Sequence, residues 1–214
     1  ERTEELIRPI LRGKDIKRYG YVDNGRYLIN THNGVKGKIP RVDINDYPAV
    51  KAHLDQFWDK ISKRYDKGDT PYNLRNCAYL EDFSKPKVIY PNMTKYMPFV
   101  YDNMSYITNQ KCFIITGIFV AYLTAFFNSS LFKYCFRDSF PELQGGTREL
   151  SKIFFEKIPV CKISDSQDVL FQEAVEDIQD KYTKQKAQRI DSMLFDLYKL
   201  TPDERKAIGF VEIQ

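Results

Sequence analysis

Two histidines, His32 and His53, and four widely spaced cysteines, Cys77, Cys112, Cys135 and Cys161, are all the imidazole and thiolate ligands that 214 residues offer. No two cysteines form a C-x-x-C pair, so a zinc site is not expected. Neither histidine lies in a nucleophile elbow or any comparable context, which leaves a Ser-His-Asp centre unsupported. Adenine methylation needs a Gly-rich loop for S-adenosylmethionine and an Asn/Asp-Pro-Pro-Tyr loop to hold the extruded base. Both are lacking, and the nearest strings, Tyr90-Pro91-Asn92-Met93 and Thr70-Pro71-Tyr72-Asn73, have no paired prolines. A Mg²⁺ nuclease needs clustered carboxylates with a lysine. Asp15-Ile16-Lys17, with Glu4 or Glu5 upstream, fits only the loosest form of that pattern and is read as a solvated charge run. The loop Asn33-Gly34-Val35-Lys36-Gly37-Lys38 lacks both the Ser/Thr after its lysine and the helix start of a phosphate loop. No catalytic residue, metal ligand or cofactor is therefore assigned to this chain.

Charge is also missing from Cys112 to Phe132, nearly the length of a membrane span. Gly117 interrupts the run, and Asn128, Ser129 and Ser130 fall in its second half. A buried strand, Cys112 to Thr116, followed by one buried helix, Phe119 to Phe136, is expected instead, with no membrane partner. Aromatic neighbours such as Tyr134 and Phe136 mark most of the thiols as core filler, which suits a reducing compartment. No signal peptide is visible, and the cytoplasm is the expected location.

What is present is an ordinary folding composition, 43% apolar with 15 Tyr and 15 Phe, enough to bury a full core. The net charge is only +4, but it is unevenly spread. From Val160 onward there are 8 Lys/Arg against 11 Asp/Glu, leaving 25 against 18 before it. Such an excess suits a surface that faces phosphate.

The elements read as α+β (mixed α/β), short strands flanked by helices. Strands are expected at Arg26 to Thr31, Lys87 to Tyr90, Phe99 to Tyr101 and Lys111 to Thr116. A helix is expected to open at Asn45-Asp46-Tyr47-Pro48 and run to Gly68, with Val50, Leu54, Phe57, Trp58 and Ile61 packing inward. From Ser164 a charged amphipathic pattern predicts one long helix, or two in line, to Lys199. Thr201-Pro202-Asp203-Glu204 then reads as a capping box for a short last helix. The organisation expected is a DNA-binding domain over residues 1–163 and a helical extension over 164–214 that packs on it or on a partner domain.

Basic residues interleaved with aromatics and amides occur in Lys14 to Tyr21, Tyr72 to Asn76 and Lys85 to Tyr96. Lys and Arg neutralise phosphates, and Arg, Asn and Gln can read purine edges bidentately. In Leu143 to Arg148 two glycines free the backbone for close approach to a partner. The candidate DNA-facing residues are Arg12, Lys14, Arg18, Tyr72, Asn73, Arg75, Lys95, Tyr96, Gln144, Gly145, Gly146, Thr147 and Arg148.

The order of several segments carries a resemblance. Arg12 to Tyr19, Leu74-Arg75, Lys85 to Pro91, Phe127 to Phe132, Gln144-Gly145-Gly146 and Phe155 to Val160 together resemble the TaqI-like C-terminal specificity domain. The run from Ile190 to Glu204 looks like the ending common in such enzymes. The resemblance implies a target recognition domain that follows an adenine-specific N6 methyltransferase domain, often with an endonuclease in the same polypeptide. In that setting duplex DNA and the upstream domains are the partners, and S-adenosylmethionine and Mg²⁺ belong to the full-length enzyme. A free-standing specificity subunit recruiting separate catalytic chains, and the recognition domain of a phage-defence methyltransferase without nuclease, are the alternatives.

Overall fold

A computed structural model describes residues 2–104 and 106–212. In chain order the strands and helices are β1 (Ile7–Leu11), β2 (Ile16–Lys17), β3 (Gly20–Tyr21), β4 (Tyr27–Ile29), α1 (Pro48–Asp55), α2 (Trp58–Ile61), β5 (Lys87–Pro91), β6 (Met93–Thr94), β7 (Val100–Asp102), β8 (Ile107–Thr108), β9 (Cys112–Thr116), α3 (Val120–Asn128), α4 (Ser130–Phe136), β10 (Arg148–Glu149), α5 (Lys152–Phe155), α6 (Asp165–Asp180), α7 (Lys184–Leu197) and α8 (Pro202–Ile208). The α+β class and the four expected strands are all present.

The centre is a three-stranded antiparallel sheet in the order β7-β5-β9. All five residues of β5 are buried, because both faces of its sheet are covered. Alternation along the strand separates the faces. Val88 and Tyr90 face a large core built with α3, α4, α6 and α7, whereas Ile89 faces a smaller one with Leu11, Ile16, Val100 and Cys112. A second sheet, β4-β1-β8, pairs β1 antiparallel with β4 and parallel with β8. A third core of Leu6, Val42, Ile44 and Val50 lies under α1.

At the start of β5, the middle strand, Lys87, wholly buried, meets Asp102 at 2.6 Å and donates to the Phe83 carbonyl at 2.7 Å. Asp102 also accepts from the Met104 and Tyr106 amides. A buried pair satisfied in this way fixes register, and removing one partner costs about 3–5 kcal/mol. Lys87, part of the Lys85 to Tyr96 basic cluster, is thus structural.

The uncharged run folds as β9 and then two helices, and among the described residues no helix is long and apolar enough to cross a membrane. The single helix expected over Phe119 to Phe136 breaks at Ser129, whose extended backbone (φ −70°, ψ 158°) starts α4. Its hydroxyl accepts from the Phe132 amide at 3.1 Å, so the serine competes successfully for a backbone N–H that a continuous helix would have used.

The first helix is also shorter than its apolar stripe suggested. α1 stops at Asp55, and Phe57 and Trp58 are 42% and 44% exposed instead of packed inward. Its cap is Tyr47 with Pro48 at the first position, and the acidic side chain that caps locally is Asp43, which accepts from the Asn45 amide.

After Ser164, α6 and α7 are not in line. They bend at Lys181 to Thr183 and pack together, sharing Val175, Ile178, Ala187 and Ile190 with the large core. The helical segment therefore packs on the strands that precede it, and the outer ends of the two expected spans, residues 1 and 213–214, lie outside the described residues. Thr201 and Glu204 make the capping box, with Thr201 N donating to Glu204 Oε2 at 2.7 Å and Glu204 N to Thr201 Oγ1 at 3.3 Å. Of the cysteines only Cys112 is buried. Cys77 and Cys161 are half-buried and Cys135 is exposed, because it lies on the outer side of α4.

Candidate nucleic-acid interface

Between β1 and β2 the chain makes a 3-10 turn, Gly13–Asp15, that presents Lys14 and Lys17 to solvent. Asp15 shapes it. Its carboxylate accepts from Arg12 Nε at 2.9 Å, Arg12 Nη2 at 2.8 Å, the Arg12 amide at 2.9 Å and Asn24 Nδ2 at 2.9 Å. The Arg12 bonds hold its pKa below the ordinary carboxylate value. Arg12 is accordingly committed to a bidentate pair, and Asp15 is a buried scaffold residue instead of a solvated charge. Glu5 is taken up elsewhere, accepting from the Tyr47 hydroxyl.

Gly13 explains why this turn lies where it does. A Cβ there would meet the Lys111 carbonyl oxygen at 2.9 Å and Pro91 Cβ at 3.3 Å. Only glycine lets the basic turn approach the loop before β9 so closely. Lys14, Lys17 and Lys111 consequently line one open groove of about 580 Å³, together with Asn92, Thr94 and Tyr96. Among the described residues none of these three lysines makes an ion pair, so their charges are available to a partner.

The opposite bank comes from more than fifty residues away in sequence. β6 pairs with β10, Arg148 opposite Thr94 and Glu149 opposite Met93. The Leu150 amide donates to the Asn92 carbonyl at 2.9 Å, and the Asn92 amide to the Lys111 carbonyl at 3.0 Å. The turn before β10 carries Gly145 and Gly146 at φ 73° and 76°, a backbone region that side chains with a Cβ disfavour. A Cβ on Gly146 would lie 4.0 Å from Lys95 Cε, which puts the Gln144-Gly145-Gly146-Thr147 turn beside Lys95. Gln144 and Gly145 are exposed, and Gly146 and Thr147 half-buried. Lys14, Lys95, Tyr96 and Gln144 to Thr147 thus share one face.

Besides Arg12, three more candidates are tied into the fold. Arg18 donates to the Asn128 carbonyl from Nε and Nη2 and to the Val211 carbonyl from Nη1, and is buried at the wall of the lysine groove, which it also lines. Arg148 donates to the Phe140 carbonyl at 2.8 Å and pairs with Glu142 and Asp138 at 2.8 and 2.9 Å. Asn73, 1% exposed, donates to the Val42 carbonyl at 3.0 Å and accepts from Thr70 Oγ1 at 2.6 Å, which ties its loop to the Thr31–Val42 segment. In each case unfilled carbonyls inside the fold outcompete water for a strong donor.

Tyr72 and Arg75 belong to a different part of the molecule. The Tyr72 hydroxyl donates to Asp55 at 2.6 Å and its ring packs on Trp58 in the region under α1. Arg75 is exposed, near a shallow basic groove of about 850 Å³ that includes Lys36, Lys38 and Arg41. The exposed pairs Lys38–Glu81 (3.7 Å) and Arg41–Asp69 (3.5 Å) there contribute little.

Lys17, Lys111, Asn92 and Thr94 escaped the list of candidates, although Lys17 lies in the basic run from Lys14 to Tyr21. Asn92 and Thr94 do sit in the basic-aromatic cluster ending at Tyr96, but nothing local distinguishes Lys111, which acquires its place only through the contact under Gly13. The residue order that raised the resemblance is matched by a family model described as the TaqI-like C-terminal specificity domain over residues 8–160, more than half of the chain. This protein belongs to that family, the DNA specificity domains of restriction-modification enzymes.

Proposed function

We propose that this chain reads duplex DNA on behalf of an adenine-N6 methyltransferase that precedes it in a longer polypeptide, with or without an accompanying endonuclease. The observation that carries the proposal is the groove where unpaired Lys14, Lys17 and Lys111 meet Asn92, Thr94 and Tyr96, flanked by the glycine turn at Gln144. Lysines of this kind supply phosphate contacts and register, and amides and hydroxyls can hydrogen-bond base edges in the major groove. The folded scaffold would hold the target adenine opposite the catalytic domain, which extrudes and methylates it.

S-adenosylmethionine and Mg²⁺ are assigned to the preceding portions of that polypeptide. Within this chain the nearest approach to a metal ligand, Asp15, already accepts four hydrogen bonds from Arg12 and Asn24.

The test has two parts. Sequencing of N6-methyladenine in cells that express the full-length polypeptide should return one methylated motif. Substituting Gln144 and Asn92 in it should relax or redirect that motif, while Lys14→Gln should reduce methylation without changing it. A full-length protein that ignores duplex DNA, or a parent gene with no adenine-modifying portion, would overturn the proposal.

A further inference from the structure

Next to the lysine groove lies a second open cavity of about 580 Å³, and its chemistry differs from a surface patch. Tyr96 lines both. Lys133, on α4, is 5% exposed and reaches this second cavity from inside the core. Its ammonium donates to the Met97 carbonyl and lies 5.1 and 5.4 Å from the ring centres of Phe99 and Phe132. Among the described residues it has no carboxylate partner, although an ammonium can donate three bonds. A buried cation normally has a counter-ion.

The neighbours of Lys133 add to its difficulty instead of relieving it. Lys95 and Arg137, both exposed and neither in an ion pair, line the same cavity, as does Tyr182. Burial, Arg18 and Arg137 together push the Lys133 ammonium down in pKa. The one carboxylate at the rim, Glu212, is 3.6 Å from Lys184. Three basic side chains, Lys133, Lys95 and Arg137, therefore converge on one space with a single carboxylate, Glu212, at its rim.

We propose that this cavity is a phosphate site, and that on duplex DNA it takes a backbone phosphate displaced from those in the lysine groove, with Tyr96 as the ridge between them. The assignment rests on the duplex-binding reading only for the source of the phosphate. The phosphate chemistry itself rests on Lys133, Lys95 and Arg137.

Inorganic phosphate and a short labelled duplex probe the two parts separately. Arg137 and Lys95 are exposed, so Arg137→Gln and Lys95→Gln leave the core intact. In amide spectra of the chain, inorganic phosphate should shift Met97, Lys133 and Val211, and Arg137→Gln should weaken that response about tenfold. The slope of log K against log salt for the duplex should fall by about 0.9 in Arg137→Gln, the value for one lost phosphate contact. No shift with phosphate in the wild type overturns the site. A phosphate response lost in Arg137→Gln with an unchanged duplex slope overturns the backbone source and assigns the cavity to a free phosphate. A wild type that ignores the duplex yet responds to phosphate supports the site and overturns the duplex-binding reading instead.

Discussion

Arg18 donates from Nε (3.2 Å) and Nη2 (2.9 Å) to one backbone carbonyl, that of Asn128, 110 residues further along the chain. Its remaining nitrogen, Nη1, reaches the Val211 carbonyl at 2.9 Å. Asn128 is the last residue of α3, and its side chain closes on Phe99 in both directions, accepting from the amide at 3.1 Å and donating to the carbonyl at 2.7 Å. One residue on, Ser129 opens α4, and Ser130 donates twice to Asp191 of α7 while accepting from the Val211 amide. Four parts of the chain are tied at the break between two helices. Arg18→Ala should therefore lower stability by about 2–4 kcal/mol in urea melts, since charged hydrogen bonds to buried carbonyls are lost. The salt slope of duplex binding by the folded variant should stay unchanged.

Lys14, Lys17 and Lys111 should behave in the opposite way. Each single change to Gln is expected to leave the melting temperature nearly unaltered and to lower the salt slope by about 0.9. Because phosphate contacts carry no sequence information, affinity should drop equally for every duplex tested. Fluorescence anisotropy on two unrelated duplexes across a salt series checks this.

Gly13→Ala tests whether the groove depends on one missing methyl group. The added Cβ would sit 2.9 Å from the Lys111 carbonyl oxygen, and relief requires the turn or the loop to move. A cost of about 1–3 kcal/mol is expected, as for other insertions into tight packing. Duplex affinity should fall with all three lysines intact. A variant as stable and as tight-binding as the wild type would show that the two segments are not locked together.

Asp15 should give the chain a pH signature. Its folded pKa lies below the ordinary value because Arg12 binds the ionised form, so the stabilisation is full above the unfolded value and is lost as pH falls through the folded one. Asp15→Asn is expected to cost about 1–2 kcal/mol at neutral pH, a modest figure because the Arg12 side chain is 22% exposed. Urea midpoints of the two proteins should converge in acid. A constant gap from neutral to acidic pH would exclude the ion pair as the cause.

The cysteines should separate by reactivity. Burial pushes the Cys112 thiol up to about 12, and the group is shielded, whereas Cys135 is exposed. Since the thiolate is the nucleophile, alkylation of the native protein near neutral pH should modify Cys135 well before Cys112. Mass spectrometry after timed quenching reads the order, and early labelling of Cys112 would mean that the face of the central sheet it packs against opens readily.

The sequence by itself determined whatever depends on neighbours within a few residues. Short apolar runs punctuated by Pro91, Pro98 and Asn103 made β5, β7 and β9 readable, and Thr201-Pro202-Asp203-Glu204 announced α8, because strand breakers and helix caps are local matters. The family was legible too, in the order of its short motifs. Only the tertiary structure decided which charges face outward. Arg12, Arg18, Arg148 and Lys87 look in sequence like Lys14 and Lys95, yet the first four are spent on Asp15, on backbone carbonyls or on buried carboxylates. Likewise Lys111 became a groove residue through Gly13, and Lys133 an inward cation through the packing of α4. A guanidinium or ammonium has the same chemistry wherever it occurs. Whether it meets a partner inside the protein or is left for one outside depends on contacts between residues far apart in the chain, and local sequence does not encode those contacts.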